Sequence, residues 1–253
     1  ISAHNPLMEW HDTYYGISED EKTAFIEMAS ISGLPLVPPE KRNPMQTTSY
    51  GTGELIRDAL ERGCRNFIIG IGGSATNDAG LGMLQALGFR FLNKEGKILE
   101  TGNGKILMEV VSIDTSFVHP DLRTSHFTVA CDVQNPFCGP EGAAYIFAPQ
   151  KGADRKMVEA LDAGMKNFAE VIFHKTGKDI SNHPGAGAAG GMGGSLLAFL
   201  NAKLKPGIQL MLETLDFSNK IKGADLIITG EGKADKQTLM GKVPSGILDK
   251  ARK

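Results

Sequence analysis

The chain has 253 residues, of which 41% are hydrophobic and 22% are charged, as expected for a folded protein with one large domain or two smaller ones. Its 27 basic and 29 acidic residues give a net charge of −2, which argues against the broad cationic surface that nucleic acid or an anionic membrane would require. No apolar run approaches the roughly 20 residues of a membrane span, and the N-terminus lacks a basic and then apolar leader, so neither a span nor secretion is predicted.

The three cysteines have no CxxC spacing, and an odd number in a chain of this size predicts no disulfide framework. We expect reduced thiols and a cytoplasmic protein. The six histidines also lack the spacing of a zinc site.

The first half of the chain predicts two strands, each followed by a helix. The strands are Thr23 to Met28, which is β-branched and aromatic, and residues 67–71, a continuous apolar run typical of a strand covered on both faces. Apolar residues at helical spacing over 55–60 predict the first helix, which stops at Gly63. A Gly-Gly-Ser turn precedes the second helix, with Asn77 or Asp78 as its predicted N-cap.

The second half continues the alternation. Residues 127–131 predict a strand, and apolar residues recurring by four, four, three and four predict a helix from about Asp154 to His174, with Asp154 and Gly177 as caps. The glycine-rich segment 185–194 predicts a turn feeding a helix over 195–200, while residues 225–229 predict another covered strand before a helix from about Val243. The fold class is therefore α/β, with mostly parallel or mixed sheets flanked by helices.

Three predicted strands lead directly into polar or glycine-rich turns, at residues 72–78, 131–135 and 229–235. In open α/β sheets, ligands collect outside the carboxyl ends of the strands, so these turns are expected to form one site. The first turn predicts an anion cradle, because amides that open a helix lack partners and the helix dipole favours negative charge. A tight packing turn remains the alternative.

Neither standard nucleotide signature is present, since the chain has no Walker A loop and no complete GxGxxG. Phosphoryl transfer instead requires cations for the phosphates and a carboxylate for the acceptor hydroxyl. The turns offer both kinds of group, although each acid could simply cap a helix or close a turn. The acids are Asp78, Asp132, Glu231 and Asp235, and the lysines are Lys151, Lys233 and Lys242.

Several long strings in one order carry a resemblance to a known family. They include Gly70-Ile-Gly-Gly-Ser-Ala-Thr-Asn-Asp78, Ala130-Cys-Asp-Val133, Pro149-Gln-Lys-Gly-Ala153, Pro184-Gly-Ala-Gly-Ala-Ala-Gly-Gly191 and Ile228-Thr-Gly-Glu-Gly232. The sequence resembles the class I glycerate kinases of the glycerate 2-kinase type across essentially its whole length. The resemblance also suggests an internal fragment, because the family's N- and C-terminal regions are not present, and it leaves open whether this piece is active by itself.

The resemblance implies a two-domain enzyme that phosphorylates D-glycerate to 2-phosphoglycerate, with 3-phosphoglycerate as the alternative product, using ATP as co-substrate and Mg²⁺ as cofactor. Residues 1–222 would be the middle α/β domain, and residues 223–253 would begin the return into a flanking Rossmann-like or flavodoxin-like domain. Ala79 stands where the family commonly has Gly, and because its methyl group limits positive φ and close approach, tight contact with an anion is not expected at that residue.

The expected site has three groups of residues. Asp78, Asp132 and Asp235 are the catalytic candidates, and Asp132 and Asp235 are also the candidate Mg²⁺ ligands. Substrate or phosphate binding is assigned to Gly72, Gly73, Ser74, Thr76, Asn77, Lys151, Glu231 and Lys242. The expected partners are small molecules, with no nucleic acid or membrane and with a homo-oligomer left open. Two other functions remain open, a non-catalytic module that binds small anions and a dinucleotide-dependent enzyme.

Overall fold

A computed structural model of the protein describes residues 1–230 and 243–251. The chain divides into two compact units, residues 1–204 and 205–253. The division at 222/223 inferred from the family resemblance remains a prediction.

The first unit is built on a five-stranded sheet with the order β3-β4-β5-β8-β9. Strands β4, β5 and β8 are parallel, and the short edge strand β3 is antiparallel to β4. Two small antiparallel pairs, β1-β2 and β6-β7, lie outside this sheet. The strands are β1 (Ser2–His4), β2 (Trp10–Asp12), β3 (Gly16–Ile17), β4 (Thr23–Glu27), β5 (Asn66–Gly70), β6 (Arg90–Leu92), β7 (Ser112–Asp114), β8 (His126–Ala130) and β9 (Lys203–Lys205).

Helices of the first unit pack around this sheet, so the predicted α/β class is confirmed. They are α1 (Ala29–Ser32), α2 (Tyr50–Glu61), α3 (Leu81–Ala86), α4 (Ala143–Phe147), α5 (Arg155–Thr176) and α6 (Met192–Phe199). The prediction for α5 is confirmed together with its caps: the Asp154 carboxylate accepts the Met157 amide at 2.8 Å, and Gly177 ends the helix at φ +73°.

The predicted strands over 23–28, 67–71 and 127–131 correspond to β4, β5 and β8. Their buried positions alternate along each strand, and the stacked rings of Phe67 and Phe127, 4.7 Å apart, join β5 to β8 within the core. The parallel register pairs Gly70 with Ala130. The two turns that follow these strands therefore begin level with each other at one edge of the sheet.

Two predicted helix starts differ from the structure. Helix α3 begins at Leu81 with Gly80 as its N-cap, because residues 72–80 form an extended loop before the helix. Helix α6 begins at Met192, which places Gly193 and Gly194 inside the helix, where they allow close packing against Phe137 and the Gly185 carbonyl.

The second unit contains α7 (Gly207–Thr214), α8 (Phe217–Lys220) and α9 (Val243–Ala251), and α9 confirms the predicted helix from Val243. The predicted strand over 225–229 is wrong in this structure. Leu226 is 76% exposed and Ile228 is 87% exposed, and no described strand of this unit offers a hydrogen-bonding edge to the segment. An apolar run becomes a strand only where such an edge is present. Across the described ranges, every helix is too short or too polar to cross a lipid bilayer.

Candidate active site

A cavity of about 220 Å³ opens at the carboxyl ends of β5 and β8. The structure brings together the first two predicted turns here, since residues 71–74 and 131–133 form two of its walls. The remaining walls come from the end of α4, the short 3₁₀ helix Pro149–Lys151 and the glycine-rich segment before α6. Its lining residues are Ile71, Gly72, Gly73, Ser74, Ala130, Cys131, Asp132, Val133, Phe147, Gln150, Lys151, Ala188 and Ala189.

The backbone of Gly72, Gly73 and Ser74 forms one wall of the cavity. Within the described residues, the amides of these three residues donate no hydrogen bond to the protein. Gly73 has φ +71°, and a Cβ atom built on Gly72 would meet no atom within 4 Å. Such amides in an open glycine turn are suited to donate hydrogen bonds to an anion in the cavity.

Lys151 is buried beside this wall, with 2% of its surface exposed. Its ammonium donates to Ser74 Oγ at 2.6 Å and to the Thr76 carbonyl at 2.6 Å. Burial lowers the pKa of Lys151 from 10.5 to about 7, although the nearby Asp78 charge acts in the opposite direction. Lys151 therefore brings a partly charged amine to the cavity, with an incomplete charge balance.

Asp78 is fully buried and does not line the cavity. Its carboxylate accepts hydrogen bonds from the Ser49 amide at 2.8 Å, the Ser49 hydroxyl at 2.7 Å, and the Gly80 and Gly82 amides at 3.1 and 3.2 Å. Burial raises the pKa of Asp78, and these donors act in the opposite direction. Asp78 itself occupies the start of α3, so the amides of that helix are not available to a ligand.

Thr76 and Asn77 are also fully buried and lie behind the cavity wall. The glycine-rich segment packs directly on them: the Gly190 carbonyl accepts the Ala79 amide at 3.0 Å, and a Cβ atom on Gly190 would lie 2.1 Å from the Thr76 carbonyl. Ala79 adopts φ +52° in spite of its methyl group, and its carbonyl accepts the Ser195 hydroxyl. This packing fixes the loop that carries Ser74.

Asp132 is exposed at the end of β8 and lines the cavity. Its neighbour Cys131 donates from Sγ to the Val133 carbonyl at 3.3 Å, and burial raises the pKa of the Cys131 thiol, which makes it a poor nucleophile. In the part of the chain that the structure describes, no three His, Cys, Asp or Glu residues cluster as a metal site. Glu231, Asp235 and Lys242 lie outside the described residues.

Sequence reasoning missed several of the lining residues, including Gln150, Phe147, Ala188 and Ala189. The sequence signal for these residues was their position beside glycine and proline residues, which also mark the other turns. Ala189 has φ +53°, a conformation that L residues rarely adopt and that is often found at functional sites.

The model of the glycerate kinase family matches residues 1–253. The chain belongs to the glycerate kinase family. A glycerate kinase from Haemophilus influenzae is 53% identical over 98% of this chain, and a glycerate 2-kinase from Escherichia coli K12 is 51% identical over the same share. A solved chain assigned as a glycerate kinase 2 from Salmonella typhimurium LT2 superposes with a TM-score of 0.94 at 47% identity over 100% of this chain.

The match to these glycerate kinases extends over only part of their length. The chain spans 65% of the Haemophilus influenzae and Escherichia coli relatives and 67% of the solved Salmonella typhimurium chain. The cavity described above thus lies in a portion that the relatives share with this chain.

Proposed function

We propose that this glycerate kinase family member contributes the acceptor-binding part of an ATP-dependent enzyme that phosphorylates D-glycerate to 2-phosphoglycerate. The observation that carries the proposal is the cavity itself. It combines the Gly72 to Ser74 amides, which have no partner among the described residues, with the buried amine of Lys151 and the exposed carboxylate of Asp132. The close relatives named glycerate kinase support the same acceptor.

The size of the cavity favours the acceptor over the nucleotide. Its volume of about 220 Å³ is below the roughly 300–1,000 Å³ of sites for drug-sized ligands, so it suits a three-carbon acid. The amides of residues 72–74 would bind the carboxylate of glycerate. Thr76, Asn77 and Asp78 are proposed to position this wall from behind, because all three are fully buried.

The proposed reaction forms a bond between the glycerate hydroxyl oxygen and the γ-phosphorus of ATP. The bond from that phosphorus to the β,γ-bridging oxygen breaks, ADP leaves with the electron pair, and the hydroxyl proton passes to a carboxylate. Asp132 is the described carboxylate at the cavity. The protein's main contribution to such a transfer is to position the reactants and to stabilise charge.

Mg²⁺ fits the chemistry of this edge of the sheet, because the ion is commonly held by one or two carboxylates together with substrate phosphates. Asp132 would supply one ligand, and Asp235 remains the predicted second. The ion would neutralise the charge on the transferred phosphoryl group. The roles of Glu231 and Lys242 in binding ATP remain predictions, as does a cytoplasmic location.

The test is ADP formation that requires both D-glycerate and Mg-ATP, measured on the complete enzyme that contains this chain. ³¹P NMR of the product separates 2-phosphoglycerate from 3-phosphoglycerate. In the complete enzyme, binding of glycerate without ADP formation would instead favour the small-anion module, and a change in NADH fluorescence on mixing would favour the dinucleotide-dependent enzyme.

An Asp132→Asn variant then assigns the role of this carboxylate. Loss of a Mg²⁺ ligand raises the Mg²⁺ concentration needed for half-maximal rate, whereas loss of a proton acceptor lowers kcat at saturating Mg²⁺. A variant with unchanged Mg²⁺ dependence and unchanged kcat would remove Asp132 from the mechanism.

A further inference from the structure

The contact between Lys151 and Ser74 limits what the Ser74 hydroxyl can do. An ammonium group has three donors and no acceptor, so Ser74 Oγ must accept the hydrogen bond that spans 2.6 Å from Lys151 Nζ. A serine hydroxyl has a single proton to donate. Because Ser74 lines the cavity, and no acceptor within the described residues is paired with that proton, a ligand in the cavity is the available acceptor.

The charge around Lys151 adds a second constraint. Within residues 1–230 and 243–251, no carboxylate forms an ion pair with its ammonium, and its two contacts are the neutral Ser74 Oγ and Thr76 carbonyl. A buried cation without a counter-ion is costly, and a bound oxyanion would supply the missing charge.

The other groups that face Lys151 do not remove this need. Asp78 lies behind the loop and favours the charged lysine, but its carboxylate already accepts four hydrogen bonds. Asp132 lines the same cavity from β8, but it is exposed, so solvent screens its charge more than it would screen a buried group. The glycine-rich segment contributes the uncharged Ala188 and Ala189.

We propose that Lys151 is a positioning residue that holds the Ser74 hydroxyl as a donor to the ligand's oxyanion, and that binding of the oxyanion draws a proton onto Lys151. When the amine is neutral, it can accept the Ser74 proton, and the hydroxyl then points away from the ligand. The choice of glycerate as that ligand rests on the proposed function. The proton linkage does not, because any small oxyanion in this cavity would show it.

The lowered pKa of Lys151, about 7, sets the pH range in which the linkage is visible. Below this pH the lysine is already charged, and binding takes up little proton. Above it, the oxyanion must bring a proton with it, so the dissociation constant rises with pH and approaches about a tenfold change per pH unit.

The experiment is isothermal titration calorimetry of the purified protein between pH 6 and pH 9. At each pH, two buffers with different heats of ionisation give the number of protons taken up. D-Glycerate and inorganic sulfate, which do not titrate in this pH range, are the oxyanion probes, and the neutral amide of D-glyceric acid is the uncharged control. The expected result is uptake that approaches one proton above pH 8 with the oxyanions and no uptake with the amide.

Variants then locate the proton. We expect Lys151→Met to abolish the uptake, to flatten the pH dependence and to weaken oxyanion binding at pH 6 by at least about tenfold. If the lysine acts through Ser74, the loss of oxyanion affinity in Ser74→Ala and in the double variant should be no larger than the loss in Lys151→Met. A double-mutant cycle measures this comparison. Lys166→Met, at an exposed lysine paired with Asp162, is the control and should retain the uptake.

Zero uptake by the unmodified protein above pH 8 would overturn the proposal without any substitution. Retained uptake in Lys151→Met, or fully additive losses in the double variant, would also overturn it. Sulfate binding with proton uptake, combined with no binding of glycerate, would support the linkage while removing glycerate as the ligand. Failure of the linkage is thereby distinguished from failure of the proposed function.

Discussion

Replacement of Lys151 by Met should change stability in a direction that reverses with pH. The unfolded chain holds the Lys151 proton up to about pH 10.5, whereas the folded protein releases it near pH 7. Between these values the unfolded state binds more protons, so the free energy of unfolding of the unmodified protein rises with pH. A pKa difference of about 3.5, at about 1.36 kcal/mol for each pH unit, sets an upper limit of about 5 kcal/mol.

The Met side chain removes this charge term but leaves Ser74 and the Thr76 carbonyl without their donor. That loss should cost about 1–3 kcal/mol at every pH. At pH 6 the variant should therefore be more stable than the unmodified protein by about 2–4 kcal/mol. Near pH 10 about 1 kcal/mol of the charge term remains, so the variant should be less stable by up to about 2 kcal/mol. The two stability curves should cross between these limits.

Urea unfolding monitored by circular dichroism at intervals from pH 6 to pH 10 measures this difference. The buried cysteines and Tyr15 also titrate at high pH, but both proteins share them, so their effects cancel in the comparison. Lys97→Met serves as the control, because both side chains of its ion pair with Glu95 are exposed. A stability difference that does not depend on pH would refute the assignment of a buried, partly charged lysine at position 151.

Three further predictions concern the cavity wall and the loops that support it. Gly72→Ala should fold normally, because the added Cβ meets no protein atom within 4 Å. It should weaken D-glycerate binding by at least about tenfold, because the Cβ stands at the cavity wall where the ligand binds. Equal weakening in Gly16→Ala, on the edge strand β3, would refute this. Asp78→Ala should lower the free energy of unfolding by at least about 3 kcal/mol, because four donors lose one acceptor, and a urea titration showing a loss below about 1 kcal/mol would contradict it. Glu54→Leu should lower the free energy of unfolding by about 1–3 kcal/mol, because it removes the acceptor of the His4 amide at 2.7 Å. Trp10 is the single tryptophan and lies beside the His4 ring, so its fluorescence should report a local transition at lower urea than circular dichroism does. Coincident transitions would argue against local opening.

The elements predicted correctly are those long enough for their apolar residues to show a clear helical or strand pattern. Helix α5 has 22 residues with an unbroken apolar stripe and two clear caps, and β5 and β8 are compact apolar runs. The pairs β1-β2 and β6-β7 were missed, because three-residue strands show no measurable alternation. The predicted strand over 225–229 was wrong because an apolar run carries no information about whether a neighbouring edge exists.

At the site, the sequence identified the turns but not the long-range contacts between them. Gly72, Gly73, Ser74 and Asp132 were singled out because they follow strand ends, and Lys151 because it lies near a glycine turn. All five line one cavity. The direct contact of Lys151 with Ser74 joins residues 77 positions apart and leaves no local signature. The burial of Asp78 could not be predicted from the sequence either, because an acidic residue before a helix can bind a ligand or accept hydrogen bonds from the helix amides.

The turns after β5 and β8 begin side by side at one edge of the sheet, and this restricts where insertions and deletions can occur in related proteins. Because Gly70 pairs with Ala130 in a parallel ladder, one inserted or deleted residue in either strand would shift its turn along the sheet and exchange its buried and outward side chains. Relatives should therefore differ in length outside these two strands, for example in the exposed stretch around Lys94 to Lys97. Length changes inside β5 or β8 should be found only in proteins that have lost the cavity.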